Sequence, residues 1–424
     1  MGDSPTPAAE RIQLLDTLRG FAVLGILLMN ITAFGLLSPA YSFPGFDVSA
    51  DGGANLWAWM LVELFGEGSM RGLFSLLFGA GVVLFTTGDH GKSAATHYRR
   101  MFFLLLFGLF DAYVLLWFGD ILICYALCGA MLYPLRNWRA RTLIIVAVII
   151  GTLSSLSYVF LHFGLEFSQR AAQTLATATD PMALDPSLRA AAESWSSFEA
   201  GIVPAPEVLA EERQLRAGSY GSAFTWNAAQ TNDMLLFVMP LFILWDALLM
   251  MLLGMALFKM DVLRGGLSVA GAKRLALSGL GLGLLLNGWE VYRALEAELS
   301  LLSVFAQLNG SYHLGRGAMT LGYLGLVAWL LQAGWLATLM TRLAAVGRMA
   351  LSNYLMHSLL ALLIFSGGGL GLIGVLSRAQ LYLLVLAIWL LQLWLSPWWL
   401  ARHRFGPLEY LWRTLSYRHR LRNR

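Results

Sequence analysis

Hydrophobic residues in this chain come in runs of fifteen to twenty-five, separated by short connections that hold most of the charge. A helix needs about 20 mainly apolar residues, at 1.5 Å rise each, to cross a bilayer. The runs therefore predict an all-α, polytopic transmembrane bundle of about ten crossings. The first run, residues 14–37, reads LLDTLRGFAVLGILLMNITAFGLL and carries Asp16, Arg19 and Asn30. An ionisable group at the centre of a spanning helix costs roughly 2.5–3.5 kcal/mol on insertion scales, so such groups usually face a bundle interior. Asp16 and Arg19 are three apart, share a helix face and can partly neutralise each other near the membrane surface.

The next run is interrupted at GEGSMRG, residues 66–72, so a short segment (54–66) precedes the main helix at 70–87. Further crossings are expected at 101–117, 121–135, 142–164, 233–258, 275–291, 318–336, 349–365 and 381–400. Residues 165–232 form one long hydrophilic stretch rich in Ala, Ser, Glu and Pro. It reads as a pair of short amphipathic helices with a turn at Pro204–Ala205–Pro206. The chain thus divides into an N-terminal transmembrane half (1–164), an external segment (165–232), a C-terminal transmembrane half (233–400) and a basic interfacial tail (401–424). Basic residues fall in alternate connections: Lys92, Arg99 and Arg100; Arg136, Arg139 and Arg141; Lys259, Arg264, Lys273 and Arg274; Arg342 and Arg348; and the tail. The loop at 38–53 holds Asp47 and Asp51 but no Lys or Arg. Positive charge concentrates on the cytoplasmic side, so both termini are expected there.

Composition agrees with this pattern. The chain is 58% hydrophobic and 13% charged, whereas soluble domains are near 45–50% and about 25%. The first ten residues lack a basic leader and no small-residue cleavage site follows the first run, so residues 14–37 are expected to stay as a helix. Cys124 and Cys128, one turn apart in an apolar segment, read as packing residues. GLGLG at 279–283 lies inside an apolar span with no strand before it, so it reads as a helix-packing stripe and not a nucleotide loop. No metal, phosphate-loop, hydrolase-elbow or nucleic-acid motif is present. The tail, with Leu408, Leu411, Trp412 and Leu415 among arginines, reads as a helix lying on anionic headgroups.

The intramembrane polar groups fall at two levels. Near the expected cytoplasmic face are Asp16, Arg19, Arg348, Asn353 and, deeper, His357, with Asn353 and His357 one turn apart. Nearer the other face are Asn30, Asn287, Glu290, Arg293, His313 and Arg316. Asp246 sits mid-helix in FILWDALLMMLLG. Glu63 and Glu67 share a face with Arg71 and are expected to pair with it, as Glu290 is with Arg293. His357 reads either as a structural histidine or as a proton-transfer residue, and Asp246 as a paired structural acid or a site residue. Asp120, just after Gly119, is either a helix cap or part of a substrate site.

Five stretches carry a resemblance: LDTLRGFAVLGILLMNI at 15–31, LFSLLFGAG at 73–81, WFGDILICYALCG at 117–129, GRMALSNYLMHS at 347–358 and FGPLEYLWRTLSY at 405–417. Together, and in order, they resemble the YeiB-like family of bacterial inner-membrane proteins. That family is in turn distantly similar to transmembrane acyltransferases, including heparan-α-glucosaminide acetyltransferase. The resemblance implies a bundle in which cytoplasmic acyl-CoA, such as acetyl-CoA, meets a small-molecule, lipid or glycan acceptor. Arg19 matches the arginine of the O-acyltransferase first helix, and Asn30 stands where those enzymes carry histidine. No histidine lies between Asn30 and His90. On this reading Arg19, Arg348 and Asp16 hold the donor, His357 or Asp246 is the base, and Asn30 orients the substrate or stabilises an oxyanion. Asn353, Asn287, Glu290, His313 and Asp120 would face the acceptor. Membrane lipids and a homo-oligomer are the other expected partners. A transporter of a small amphiphile and a non-catalytic scaffold are the alternatives.

Overall fold

A computed structural model of the chain describes residues 12–49, 52–87, 91–306, 311–417 and 423, none of them in a β-strand. Asp51, Asp89, His90 and most of the tail beyond Tyr417 lie outside the described residues.

Helix α1 (Gln13–Gly35) is the axis of the bundle. After the short α2 (Pro39–Ser42), α3 (Ala54–Phe65) and α4 (Ser69–Thr86) make one long passage. Gly68, at φ 63°, joins them in the left-handed region that a side chain rarely adopts. Helices α5 (Ala94–Tyr113) and α6 (Leu122–Leu132) form a hairpin. The Ser93 hydroxyl starts α5 by accepting the Thr96 amide. Then come α7 (Ala140–Thr177), α8 (Pro186–Ile202), α9 (Pro206–Ala217) and α10 (Tyr220–Asp233). Helix α10 runs through a wide π-helical stretch, Met234–Ile243, into α11 (Leu244–Lys259); Pro240, which has no amide to donate, sits in that stretch. The chain ends with α12 (Val269–Glu296), α13 (Leu301–Ala306), α14 (Tyr312–Gln332), α15 (Ala337–Arg348), α16 (Ala350–Phe365), α17 (Arg378–Leu400) and α18 (Pro407–Tyr417).

The protein is a multi-pass helical membrane protein, but with fewer full spans than the ten expected. Seven described helices are long and apolar enough to cross, and the α15–α16 pair, bent by 81°, supplies an eighth. The run at 121–135 falls short because Pro134 opens a tight turn just beyond Leu132. At 1.5 Å per residue an 11-residue helix reaches only about 16 Å, roughly half the hydrocarbon thickness.

The hydrophilic stretch also differs from expectation. Helix α7 continues unbroken to Thr177, so the expected boundary at residue 164 falls inside it. Three helices, not two, follow, and Pro204–Ala205–Pro206 does separate the first pair. Helix α9 is bonded into the core. Arg216 donates to the Ala33, Phe34 and Leu36 carbonyls at 2.9, 3.1 and 2.9 Å, and to Glu212 at 2.8 Å. Those carbonyls end α1 and have no partner within the helix. Glu212 in turn accepts the amide and hydroxyl of Ser38.

Small residues set the helix spacing. Gly20 and Gly347 bring α1 and α15 into backbone contact, and Gly79 and Gly254 do the same for α4 and α11. The GLGLG stripe works as expected at two of its three glycines: Gly279 meets Gly322 and Gly283 meets Met319, whereas Gly281 faces open space. Cys124 and Cys128 are free, buried and 3.9 Å apart. Helices α7 and α12 are the most peripheral, with outward Leu153, Phe160, Leu277 and Leu285, as suits a hydrocarbon solvent.

Candidate functional site

A cavity of about 290 Å³ opens where α1 begins. Its mouth is basic, with Arg19 from α1, Arg100 from α5, Arg348 from the α15–α16 break, and Arg404 and Arg413 from the C-terminal segment. Among the described residues, only Asp16 and Glu409 oppose them there. Its interior is apolar, lined by Phe74, Leu77 and Phe78 of α4, Leu104 of α5, and Leu122 and Tyr125 of α6.

Local chemistry fixes four of the five arginines. Arg19 donates to Asp16 at 3.0 Å, the i,i+3 pair anticipated from the sequence, and both side chains keep partial exposure, 28% and 17%. The Arg100 guanidinium is held between the Phe85 and Trp412 rings, 4.2 and 4.1 Å from their centroids. Arg348 donates to the Arg404 carbonyl at 3.4 Å, and Arg413 lies 4.7 Å over Phe405.

Helix α18 closes one wall. Pro407 occupies its first turn, where no amide is needed. Glu409 then turns inward, accepting the Leu351 and Ser352 amides at 2.7 and 3.0 Å and the Ser352 hydroxyl at 2.6 Å. These amides begin α16, so the carboxylate caps a helix from another element and meets its positive dipole end. Burial pushes the Glu409 carboxyl above its ordinary range, while the Ser352 hydroxyl and these amides hold it down. Trp412 donates to the Arg100 carbonyl at 2.9 Å. The tail helix is therefore docked on α5 and α16. Leu411 and Leu415 stay exposed and can still reach lipid.

The structure brings the three expected donor-binding residues, Asp16, Arg19 and Arg348, into this one cavity. It does not bring His357, Asp246 or Asn30 there. His357 is buried against α17, with Nε2 3.0 Å from the Gln392 amide oxygen. Gln392 donates to the Asn353 carbonyl, and Asn353 donates to Val346 and Ser396. His357 and Asn353 thus share a helix contact within the bundle. Asn30 is buried in the last third of α1. Asp120 accepts the Ile123 amide at 2.8 Å, as a helix cap does, and receives Tyr354 at 3.4 Å.

Asp246 lies in a second polar cluster. Arg71 donates to it at 3.1 and 2.8 Å, and His313 stands 3.6 Å away. The expected pairs are rearranged. Arg71 takes Asp246 rather than Glu63 or Glu67, and Glu63 pairs with Arg316 at 2.9 Å. Glu290 pairs with Arg316 rather than Arg293, which faces Glu296 instead. Helical i,i+3 and i,i+4 neighbours were the only pairs visible along the chain; these partners come from helices far apart in sequence. Asn287 donates to the Leu64 carbonyl at 3.0 Å, tying α12 to α3.

These features define a helical membrane protein with an arginine-mouthed, apolar-lined cavity. The chain belongs to the YeiB-like family. Residues 257–419 match the family described as "Protein of unknown function (DUF418)". Over 423 residues it is 30% identical to "Uncharacterized protein YxaH" of Bacillus subtilis (strain 168), covering 97% of this chain and 96% of that protein. It is 29% identical to "Uncharacterized protein YeiB" of Escherichia coli (strain K12), covering 96% and 97% respectively. No solved structure matches.

Proposed function

We propose that the arginine-mouthed cavity binds the phosphates of an acyl-CoA and that the protein transfers its acyl group to a cell-envelope glycan, lipid or small-metabolite acceptor. The observation that carries this reading is the union of five guanidiniums with an apolar interior in one cavity. Guanidinium forks match phosphate oxygens, and the apolar depth suits an acyl chain. In the transfer, an acceptor hydroxyl or amine gives its proton to a base as its oxygen or nitrogen attacks the thioester carbonyl. The carbon–sulfur bond breaks, and the departing thiolate takes up a proton. Neither His357 nor Asp246 lines the donor cavity, but Asp246 is joined to it by contacts that pass through Arg71. The Tyr125 hydroxyl, from the cavity wall, lies 2.6 Å from the Ser75 hydroxyl and 3.4 Å from the Arg71 carbonyl, and Arg71 holds Asp246. This makes Asp246 the better-placed base. The bacterial inner membrane, with the cavity facing the cytoplasm, is the setting that the basic connections favour.

A second reading, transport of a small phosphorylated amphiphile, draws on the break between α15 and α16 beside Arg348, since transporters place broken helices at their binding sites. One experiment separates the two. Purified protein given labelled acetyl-CoA hydrolyses it or passes the label to membrane acceptors if it is a transferase. A transporter binds without breaking the thioester.

A further inference from the structure

Beyond Tyr125, the second polar cluster is more than a set of ion pairs. Four carboxylates, Glu63, Glu67, Asp246 and Glu290, face two guanidiniums, Arg71 and Arg316. The neighbouring Asp47–Arg378 pair, at 2.7 Å, is self-neutralising and does not change the count. Two hydroxyls assist: Glu67 accepts that of Tyr312, and Glu290 accepts that of Ser311. Ionised together, the four carboxylates outnumber the cations beside them, and a carboxyl so placed takes up either a proton or a counter-cation.

We propose that this cluster is a binding site for a protonated amine, with Glu67 and Asp246 as its carboxylate contacts. Three observations favour an organic cation. The cluster is aromatic: Tyr312 donates to Glu67 at 3.0 Å, and Tyr158 stacks on His313 with centroids 5.5 Å apart. Ring faces beside carboxylates are the chemistry that holds ammonium groups. The His313 side chain beside Asp246 is 8% exposed, and its Nε2 has no hydrogen-bond partner. Among the described residues, no three His, Cys, Asp or Glu side chains converge as metal ligands do. Access is open on one side, where Arg71 is 29% and Tyr41 40% exposed. Naming the amine as the acyl acceptor rests on the transfer reading; its binding does not.

The test uses the full-length protein in detergent, with ethanolamine as the amine and ethylene glycol as its uncharged counterpart, read by the thermal shift as each is titrated. Coenzyme A binding, measured on the same samples, reports the donor cavity and the fold separately. Ethanolamine should bind at least about tenfold more tightly than ethylene glycol, and Glu67→Gln should remove that preference, the loss of one charge-assisted contact. Coenzyme A binding should be unchanged. Tyr158→Leu, which removes a ring and no charge, should weaken ethanolamine as well. Equal responses to the two probes would overturn the proposal, because a proton on His313 would then suffice to balance the charge. So would an ethanolamine response that survives both substitutions.

Discussion

Gly347→Ala tests whether the α1–α15 crossing positions the proposed donor cavity. The two backbones touch at Gly20 and Gly347, and a Cβ on Gly347 would fall inside the Asp16 carbonyl oxygen and 2.6 Å from the Gly20 nitrogen. Both neighbours are backbone, so no rotamer change relieves the clash and one helix must move. Overpacking of this kind costs typically 1–3 kcal/mol. The displaced turn is the one that carries Asp16 and Arg19, and the displaced partner carries Arg348. A misplacement of ~1 Å can cost on the order of a hundredfold where geometry governs the chemistry. The expected result is a lowered unfolding temperature in detergent together with coenzyme A binding weakened by about tenfold or more. Gly281→Ala, placed where nothing lies within 4 Å, is the control and should leave both unchanged. Wild-type stability and wild-type binding in Gly347→Ala would refute the reasoning.

Other substitutions probe the remaining contacts. Arg216→Ala strands Glu212 and frees the carbonyls that end α1. It should destabilise the protein by about 3–5 kcal/mol, the cost of breaking a buried pair, as read by denaturant unfolding. Glu409→Ala removes the cap on α16 and should cost about 1–2 kcal/mol, with faster amide exchange at Leu351 and Ser352 as the readout. The Glu409 carboxyl is raised above its ordinary value in the folded protein. Docking of α18 should therefore be tightest below the unfolded carboxyl pKa and weaken as pH rises through the interval above it. Protection that grows with pH across that interval would contradict the assignment. His357→Ala should lower stability by about 1–3 kcal/mol, the cost of a lost buried hydrogen bond, while coenzyme A binding stays intact.

The all-helical membrane architecture was legible from the runs of apolar residues, because burial in lipid leaves a helix its own backbone partners only. So was the grouping of Asp16, Arg19 and Arg348, since charges near helix ends collect at a common level of the bundle. Glu409 and Arg413 were hidden by an amphipathic tail whose pattern equally suits a membrane surface. What marks them is the Gly406–Pro407 start, which turns Glu409 inward onto α16. Arg71 was visible, but its partner was not. Asp246 is 175 residues away, and in-helix spacing favours Glu67. His357 likewise drew attention as an intramembrane imidazole, while its hydrogen bond to Gln392 depends on how α16 and α17 pack.

Equilibrium binding of coenzyme A to the purified wild-type protein, Arg19→Gln and Arg348→Gln bears most directly on the proposed donor role of the cavity. Saturable binding by the wild type should weaken about tenfold in each variant, the worth of one charge-assisted hydrogen bond, and should fall as salt is raised. Absence of saturable binding to the wild type, or affinity indifferent to both substitutions, would contradict the account.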